Sequence, residues 1–142
     1  MAPPSAQDRW NIRYHALPPG PLRPRPWLVE HQALLPASGL AFDLAMGLGG
    51  SAGWLIEQGW RAAGADISEV AVRRAKARWP ALLAFVADLE RLVLPAAAFD
   101  LLHGDDARRR AEAFAQNGNG FFGGFHHEAV ALRSGGCGGH AN

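Results

Sequence analysis

The stretch FDLAMGLGGSAGWL, residues 42–55, runs from apolar residues through a glycine cluster into a segment with helical periodicity. Gly47, Gly49 and Gly53 give the pattern G-x-G-x-x-x-G. Glycines between a strand and a helix let backbone amides approach a ligand closely, and the start of the helix adds partial positive charge. The stretch therefore predicts a turn that holds a nucleotide-like ligand.

The residues around this turn alternate between strand-like and helix-like patterns. Ser68 is a typical N-cap, while Gly59 and Pro80 are typical of residues that end a helix. Strands that alternate with helices at this spacing predict βαβ units and a parallel sheet. We expect an α/β fold: a partial Rossmann-like parallel sheet of about four strands with flanking helices and a poorly ordered, glycine-rich C-terminal tail. The predicted strands are 40–46, 60–67, 81–87 and 97–103, and the predicted helices are 51–59 and 68–79.

Composition divides the chain into three zones. Residues 1–36 form an aromatic and proline-rich lead-in with eight of the ten prolines. We expect extended backbone over 17–27, where the prolines are concentrated, a short amphipathic turn over 8–16 before it, and a short helix within 26–35 after it. Residues 37–102 carry the α/β pattern and form the predicted ligand-binding half-domain. Residues 103–142 are poor in branched apolar side chains, so the apolar area they could bury would not offset the entropy lost on ordering, and we expect a divergent, disordered tail. Within this tail, residues 105–116 could form a helix.

Charge and cysteine content exclude several classes of protein. A net charge of +1 gives no electrostatic footprint for nucleic acid, and no apolar run approaches the ~18 residues of a membrane span. A single cysteine, Cys137, and an N-terminus without a signal-peptide pattern indicate a cytoplasmic protein. His126, His127, Cys137 and His140 match no tight ligand spacing, so no metal site is predicted.

Three carboxylates narrow the choice of ligand. Asp66 ends the second predicted strand, where a carboxylate can accept hydrogen bonds from ribose hydroxyls of either a nicotinamide dinucleotide or S-adenosylmethionine. Asp43, inside the first strand, would repel a pyrophosphate but tolerates a sulfonium and an ammonium group. Asp88 follows the third strand and can accept from an adenine amino group. The pattern favours S-adenosylmethionine, with a nicotinamide-binding fragment as a minor alternative.

Four motifs in order carry a family resemblance: FDLAMGLGG (42–50), GADIS (64–68), VADL (86–89) and FDLL (99–102). Residues 40–102 resemble the N-terminal half of a class I S-adenosylmethionine-dependent methyltransferase. The segment DRWNIRYH (8–15) is similar to the aromatic lead-in of tellurite-resistance-type members, which folds over the cofactor.

The resemblance implies a role for each matching residue. Gly47 and Gly49 would contact the amino-acid and ribose part of the cofactor, and Asp43 would orient the turn or the cofactor ammonium. Ala45 stands where the family most often has its first glycine. The remaining implied contacts are Asp66 on the ribose diol, Ile67 and Leu89 beside adenine, Asp88 on the adenine amino group, and Tyr14 on the cofactor, while packing and cofactor contact stay open for Trp10 and Arg13.

The resemblance weakens after residue 102. ALRSGG (131–136) is similar to the turn before the family's fifth strand, and the chain ends six residues later. We therefore expect strands five to seven to be absent and the chain to be C-terminally truncated. The implied function is methyl transfer to an unidentified acceptor, taken to be a small molecule; the alternative is a truncated, non-catalytic remnant that binds cofactor weakly or not at all. No catalytic residue is identified, His103 being the only side chain nominated near the methyl group, and the oligomeric state is undetermined.

Overall fold

The computed structural model describes residues 1–94, 98–104, 122–124 and 131–133. Expectations that fall on residues 105–121, 125–130 and 134–142, including the helix over 105–116, lie outside the described residues. The elements follow in the order α1 (Ala6–Ala16), α2 (Pro26–Glu30), a 3₁₀ turn (Gln32–Leu34), β1 (Leu40–Leu44), α3 (Gly50–Glu57), β2 (Arg61–Asp66), α4 (Glu69–Arg78), β3 (Leu83–Val86), β4 (Leu101–Gly104), β5 (Phe122–Gly124) and β6 (Ala131–Arg133).

The strands form one sheet in the order β3-β2-β1-β4-β6-β5. Strands β1 to β4 pair in parallel, which confirms the predicted α/β fold with four parallel strands and flanking helices. Two three-residue strands, β6 and β5, extend the sheet in antiparallel fashion beyond β4. Residues 131–133 were expected to begin a turn; instead they pair with β4, and this pairing occupies backbone groups that an edge strand would leave open.

The observed strand limits differ from the predicted ones for local reasons. Strand β1 ends at Leu44 because Ala45 adopts a left-handed conformation with φ of 55°. Strand β4 begins only at Leu101, since the Asp100 side chain accepts the N–H of Leu40 at 2.9 Å and the Asp100 N–H donates to the Leu40 carbonyl at 2.8 Å.

The helix ends confirm two of the sequence signals. The Ser68 hydroxyl accepts the N–H of Ala71 at 3.1 Å and so caps α4. Helix α3 ends in a Schellman motif, in which Gly59 with φ of 93° donates to the Ile56 carbonyl and Trp60 donates to the Leu55 carbonyl. Helix α4 therefore begins, and helix α3 ends, at the residue that the sequence predicted.

The sheet has an apolar cluster on each face. One face carries Phe42, Leu44 and Leu102, which pack with residues from the segment after β3, such as Leu94. The other face packs against the helices: Leu28 of α2 and Leu55 of α3 contact strand residues in one cluster, and Ala52 of α3 joins Val72 and Ala75 of α4 in a second. The helices thus fix the glycine turn and the ends of the first three strands relative to one another.

Two findings concern membranes and metals. Among the described helices, none is long and apolar enough to cross a membrane. Within the same residues, no group of three or more His, Cys, Asp or Glu side chains is placed to hold a metal ion. The histidine and cysteine cluster of the tail lies outside the described part of the chain.

Candidate cofactor site

The glycine turn after β1 is held by backbone hydrogen bonds and by left-handed residues. Ala45, Gly47 and Gly49 have φ values of 55°, 57° and 84°. The Met46 N–H donates to the Ala65 carbonyl of β2, and the Gly49 N–H donates to the Met46 carbonyl, both at 3.0 Å. Left-handed backbone costs glycine little but costs alanine about 1–2 kcal/mol, so Ala45 is a strained point in the turn.

Asp66 joins this turn to the end of β2. Its Oδ2 atom accepts the N–H of Gly47 at 3.0 Å, and its Oδ1 atom accepts the N–H of Ser68 at 2.8 Å. The side chain is buried, with 5% of its surface exposed. The two backbone amides fix the carboxylate, which is therefore oriented before any ligand binds.

A cavity of about 570 Å³ opens beside this carboxylate, at the carboxyl ends of β1, β2 and β3. In parallel α/β sheets, ligands bind at this edge. The volume lies in the usual range for small-molecule sites. Six of the nine residues predicted to contact the cofactor line the cavity: Tyr14, Ala45, Asp66, Ile67, Asp88 and Leu89.

The other three predicted residues lie close to the turn but not among the residues that line the cavity. Gly47 lies under Tyr14, because a Cβ atom added to it would be 2.8 Å from the Tyr14 hydroxyl oxygen. Gly49 faces the core, since its added Cβ would meet Ala75 and Trp79 at 3.3 Å. Asp43 is buried in the sheet. The structure thus assigns close packing to both glycines and keeps Asp43 beneath the surface.

His103, the side chain nominated near the transferred methyl group, is also buried in the sheet. Its Nε2 atom lies 3.3 Å from Oδ2 of Asp43, and its side chain is 1% exposed. It does not line the cavity. The structure therefore places His103 as the partner of Asp43 and not at the surface where an acceptor would approach.

Helix α1 covers the cavity and is held down by polar contacts with its floor. The Gln7 amide donates to the Ile67 carbonyl at 3.1 Å, and the Ser68 hydroxyl donates to Oδ1 of Asn11 at 2.7 Å. The Arg74 guanidinium of α4 donates to the carbonyls of Tyr14 and Leu17 at the other end of the helix. Because these contacts reach both ends of α1, the helix is fixed over the loop that follows Asp66.

The start of α1 is fixed by a reciprocal capping box between Ser5 and Asp8. The Asp8 carboxylate accepts hydrogen bonds from the Ser5 hydroxyl and from the Ser5 N–H. These bonds stabilise the ionised form and hold the pKa of Asp8 below its usual range, the bond from the side chain having the larger effect.

Five further residues line the cavity, and sequence reasoning predicted no cofactor contact for Leu17, Arg25 or Glu90. Arg25 comes from the proline-rich segment, whose expected extended backbone did not indicate that it would line the cavity. Its N–H donates to the Ser51 hydroxyl of α3 at 2.9 Å. The sequence feature that could have drawn attention to Arg25 is the proline on each side of it, because the two prolines restrict the local backbone. The other two lining residues are Trp10 and Arg13, on α1.

Comparison with known proteins defines the class of this domain. Residues 42–104 match the model of a family described as a methyltransferase domain. An S-adenosylmethionine-dependent methyltransferase from Mesorhizobium loti is similar in structure, with 29% identity and a TM-score of 0.54 over 68% of this chain and 49% of that chain. Both comparisons agree with the class that the motifs predicted, a class I methyltransferase domain with S-adenosylmethionine as its cofactor.

Two other solved structures add to the comparison. One is a structure described as the conversion of a disulfide bond into a thioacetal group during echinomycin biosynthesis. It shares 19% identity and a TM-score of 0.57 over 84% of this chain and 58% of that chain, and it supports the fold alone. A TehB-like S-adenosylmethionine-dependent methyltransferase from Corynebacterium glutamicum shares 26% identity over 59% of this chain and 50% of that chain, and its TM-score of 0.49 is too low to support a subfamily. No curated protein matches this chain. The chain spans about half the length of the methyltransferases from M. loti and C. glutamicum.

Proposed function

We propose that this protein binds S-adenosylmethionine in the cavity under α1 and transfers its methyl group to a small-molecule acceptor. The observation that carries the proposal is the convergence of six predicted cofactor residues on one cavity at the carboxyl edge of the parallel strands. A net charge of +1 argues against a nucleic-acid acceptor. We further propose a cytoplasmic location, which the single cysteine supports.

Each part of the cofactor would contact residues at the end of a different strand, with adenine nearest β3, ribose at β2 and methionine nearest β1. Asp66, at the end of β2, would accept hydrogen bonds from the ribose diol. Ile67 and Leu89 would pack on the faces or edge of adenine, and Asp88, after β3, would accept from the adenine amino group. The methionine part would then lie toward Ala45 and the turn that follows β1.

Two buried or packed residues complete this assignment. Asp43 contributes negative charge beneath the turn, which favours the cofactor's ammonium and sulfonium groups over a pyrophosphate. Tyr14, on α1, lies over Gly47 and would close the cavity over the bound cofactor. Its position, with Trp10 also lining the cavity, supports the proposal that α1 is the aromatic lead-in of the tellurite-resistance type.

Catalysis by such a site rests on positioning. When bound, S-adenosylmethionine supplies an electrophilic methyl group on a sulfonium sulfur. The residues of the cavity would hold the adenosine and exclude water, so that an acceptor nucleophile meets the methyl carbon in line with the breaking carbon–sulfur bond. No general base is assigned among the cavity residues.

Isothermal titration with S-adenosylhomocysteine tests the proposal, and titration with NAD⁺ and NADP⁺ under the same conditions is the control. We expect saturable binding of S-adenosylhomocysteine with one site per chain and no heat of binding from the dinucleotides. A folded chain that binds no S-adenosylhomocysteine would contradict the proposal and favour the non-catalytic alternative. Preferred binding of a dinucleotide would favour the nicotinamide-binding alternative.

A further inference from the structure

A second pocket lies between the proline-rich segment and α4, next to the cofactor cavity. It has a volume of about 300 Å³ and is lined by residues 17–22, by Leu48 of the glycine turn, and by Arg74 and Arg78 of α4. Among the described residues, only Leu17 lines both this pocket and the cofactor cavity. The volume is at the lower end of the usual range for small-molecule sites, so the pocket has room for a small organic molecule.

The charge of this pocket is positive. Arg74 and Arg78 line it, and within the described part of the chain no acidic side chain does. The cofactor cavity differs in this respect, since Asp66, Asp88 and Glu90 line it. Arg74 and Arg78 occupy positions i and i+4 of α4, so the two side chains are neighbours on one face of the helix and their charges repel each other. An anion bound between them removes this repulsion, so the pocket favours a negatively charged ligand.

Both guanidinium groups are held by contacts that leave N–H donors for a ligand. Arg74 is half-buried, and its Nη1 atom donates to the carbonyls of Tyr14 and Leu17 at the C-terminal end of α1. A guanidinium has further donors on Nε and Nη2, and those of Arg74 make no hydrogen bond within the described residues. Arg78 lies over the ring of Trp79, at 5.5 Å from the centroid, a cation–π contact that needs none of its N–H groups. Neither arginine is paired with a carboxylate of the described chain.

The remaining wall of the pocket is apolar and has a restricted backbone. Pro18, Pro19 and Pro21 belong to it, and each has a fixed φ, so the wall loses little conformational entropy when a ligand binds. Leu22 and Leu48 add aliphatic side chains. A wall of this kind contacts the hydrocarbon part of a ligand and offers nothing to an inorganic ion.

We infer that this pocket binds a small organic anion, with an oxyanion head group on Arg74 and Arg78 and an aliphatic body against the prolines and leucines. A planar guanidinium recognises carboxylate and phosphate oxygens alike through paired hydrogen bonds, so either head group fits this chemistry. Because the pocket shares only Leu17 with the cofactor cavity within the described chain, the anion is expected to bind whether or not the cofactor is present.

The test separates the head group of the ligand from its body. Hexanoate, hexyl phosphate, 1-hexanol and inorganic phosphate are each titrated into the nitrogen-15-labelled full chain without cofactor, at constant ionic strength, and binding is followed by the chemical shifts of backbone amides. Arg78→Gln removes one guanidinium from the pocket. Lys76→Gln is the matched control, because Lys76 is exposed on the same helix and does not line the pocket. Thermal unfolding of both variants without ligand checks that the fold is kept.

We expect hexanoate and hexyl phosphate to saturate the wild type with a Kd on the order of 1 mM, as suits ligands of this size, and to shift the amides of residues 17–22, 48 and 74–78. Arg78→Gln should weaken both about 10-fold, as for a lost charged hydrogen bond, while Lys76→Gln should change the Kd by less than about two-fold. The tighter of the two anions identifies the head group, and either order supports the site.

Several results would overturn the inference. They are 1-hexanol binding as tightly as hexanoate, inorganic phosphate binding as tightly as hexyl phosphate, equal effects of the two variants, and shifts that fall outside the pocket. Absence of saturable binding by both organic anions would also overturn it. Because the titrations contain no cofactor, such a failure would leave the proposed function standing, and that function is tested separately with S-adenosylhomocysteine.

Discussion

Asp43 of β1 and His103 of β4 face each other across two neighbouring parallel strands, with Oδ2 of Asp43 3.3 Å from Nε2 of His103. Both side chains are at most 3% exposed. Within the described residues, neither Oδ1 of Asp43 nor Nε2 of His103 has a hydrogen-bond partner, so the 3.3 Å approach is a close polar contact and not a hydrogen bond. Ala41 and Leu101 precede them by two positions in each strand and pack with Leu55 of α3, so the pair points to the helix-covered face. A polar pair thus lies inside the sheet just below the turn.

Removing one partner of this pair should be more damaging than replacing both. His103→Leu leaves a buried carboxylate without its neighbour, and we expect the free energy of unfolding to fall by about 3 kcal/mol. The double variant Asp43→Leu/His103→Leu should recover most of that loss, because no unpartnered polar group remains buried at these two positions. Urea unfolding of the three chains measures both effects. A double variant less stable than His103→Leu would show that packing, and not the pairing of polar groups, governs this position.

Asp66 and Asp88 should differ in what they contribute besides ligand binding. Asp66→Asn exchanges one acceptor oxygen for an amide nitrogen and weakens a bond to Gly47 or Ser68, so the free energy of unfolding should fall by about 1–2 kcal/mol. Asp88 is exposed, and Asp88→Asn should leave stability within about 0.5 kcal/mol of the wild type.

The same two variants test the cofactor site by titration with S-adenosylhomocysteine. We expect the Kd to rise about 100-fold for Asp66→Asn, which touches both the ribose contact and the turn, and about 10-fold for Asp88→Asn. An unchanged Kd in Asp66→Asn, with the fold intact, would contradict the assignment of the ribose contact.

Alanine variants at three glycines distinguish the cost of a steric clash from the cost of a left-handed backbone. Gly104 has φ of 112°, and an added Cβ would lie 2.1 Å from the Leu44 carbonyl oxygen, so Gly104→Ala should lower the free energy of unfolding by about 3 kcal/mol or more. Gly59 has φ of 93° with nothing nearer than 3.9 Å, so its alanine variant should lose only about 1 kcal/mol. Gly20 has no atom within 4 Å of an added Cβ and is the neutral control. Urea unfolding ranks the three, and a different order would contradict this account.

Ala45 should be improved by the residue that the turn prefers. With φ of 55°, alanine is strained by about 1–2 kcal/mol, and glycine relieves this at an entropic cost of about 0.5–1 kcal/mol. The free energy of unfolding of Ala45→Gly, measured by thermal unfolding, should therefore be about 0.5 kcal/mol higher than that of the wild type. Loss of the alanine methyl group would slightly enlarge the cavity, so binding of S-adenosylhomocysteine should be undiminished. Ala45→Val, which adds β-branching to the same backbone, is the opposing control and should be less stable than the wild type. Loss of stability in Ala45→Gly would show that the alanine methyl packs favourably.

Asn11 should fix helix α1 over the cavity. Its Oδ1 accepts the Ser68 hydroxyl at 2.7 Å and lies 3.3 Å from the Val70 N–H, at the start of α4. Asn11→Ala should speed proteolysis of the N-terminal segment and weaken S-adenosylhomocysteine binding about 3- to 10-fold, since the loss of one hydrogen bond is worth about 1 kcal/mol. Ile12→Ala is the control on the same helix, because Ile12 is 67% exposed. Equal effects of the two variants would indicate general loosening of α1.

Local sequence determined the sheet and the turn because the signals there are short-range. Ser68 and Gly59 fix the ends of their helices through hydrogen bonds within a few residues of the chain. The glycines and carboxylates at strand ends predicted a common edge, since parallel strands bring their carboxyl ends together. The strand limits were less predictable, because Ala45 and Asp100 end or delay their strands through particular dihedral angles and side-chain contacts.

Tertiary structure alone decided which side chains share the cavity and which are buried. Asp43 and His103 are 60 positions apart, and only the β1–β4 register brings them together. Arg25 reaches the cavity because Ser51, 26 residues later, holds its backbone. Neither contact produces a repeating pattern in the sequence, because each depends on a single hydrogen bond or strand pairing between elements that are distant in the chain. The amino-acid sequence by itself therefore specified the class of domain and its cofactor, while packing between elements specified how the site is built.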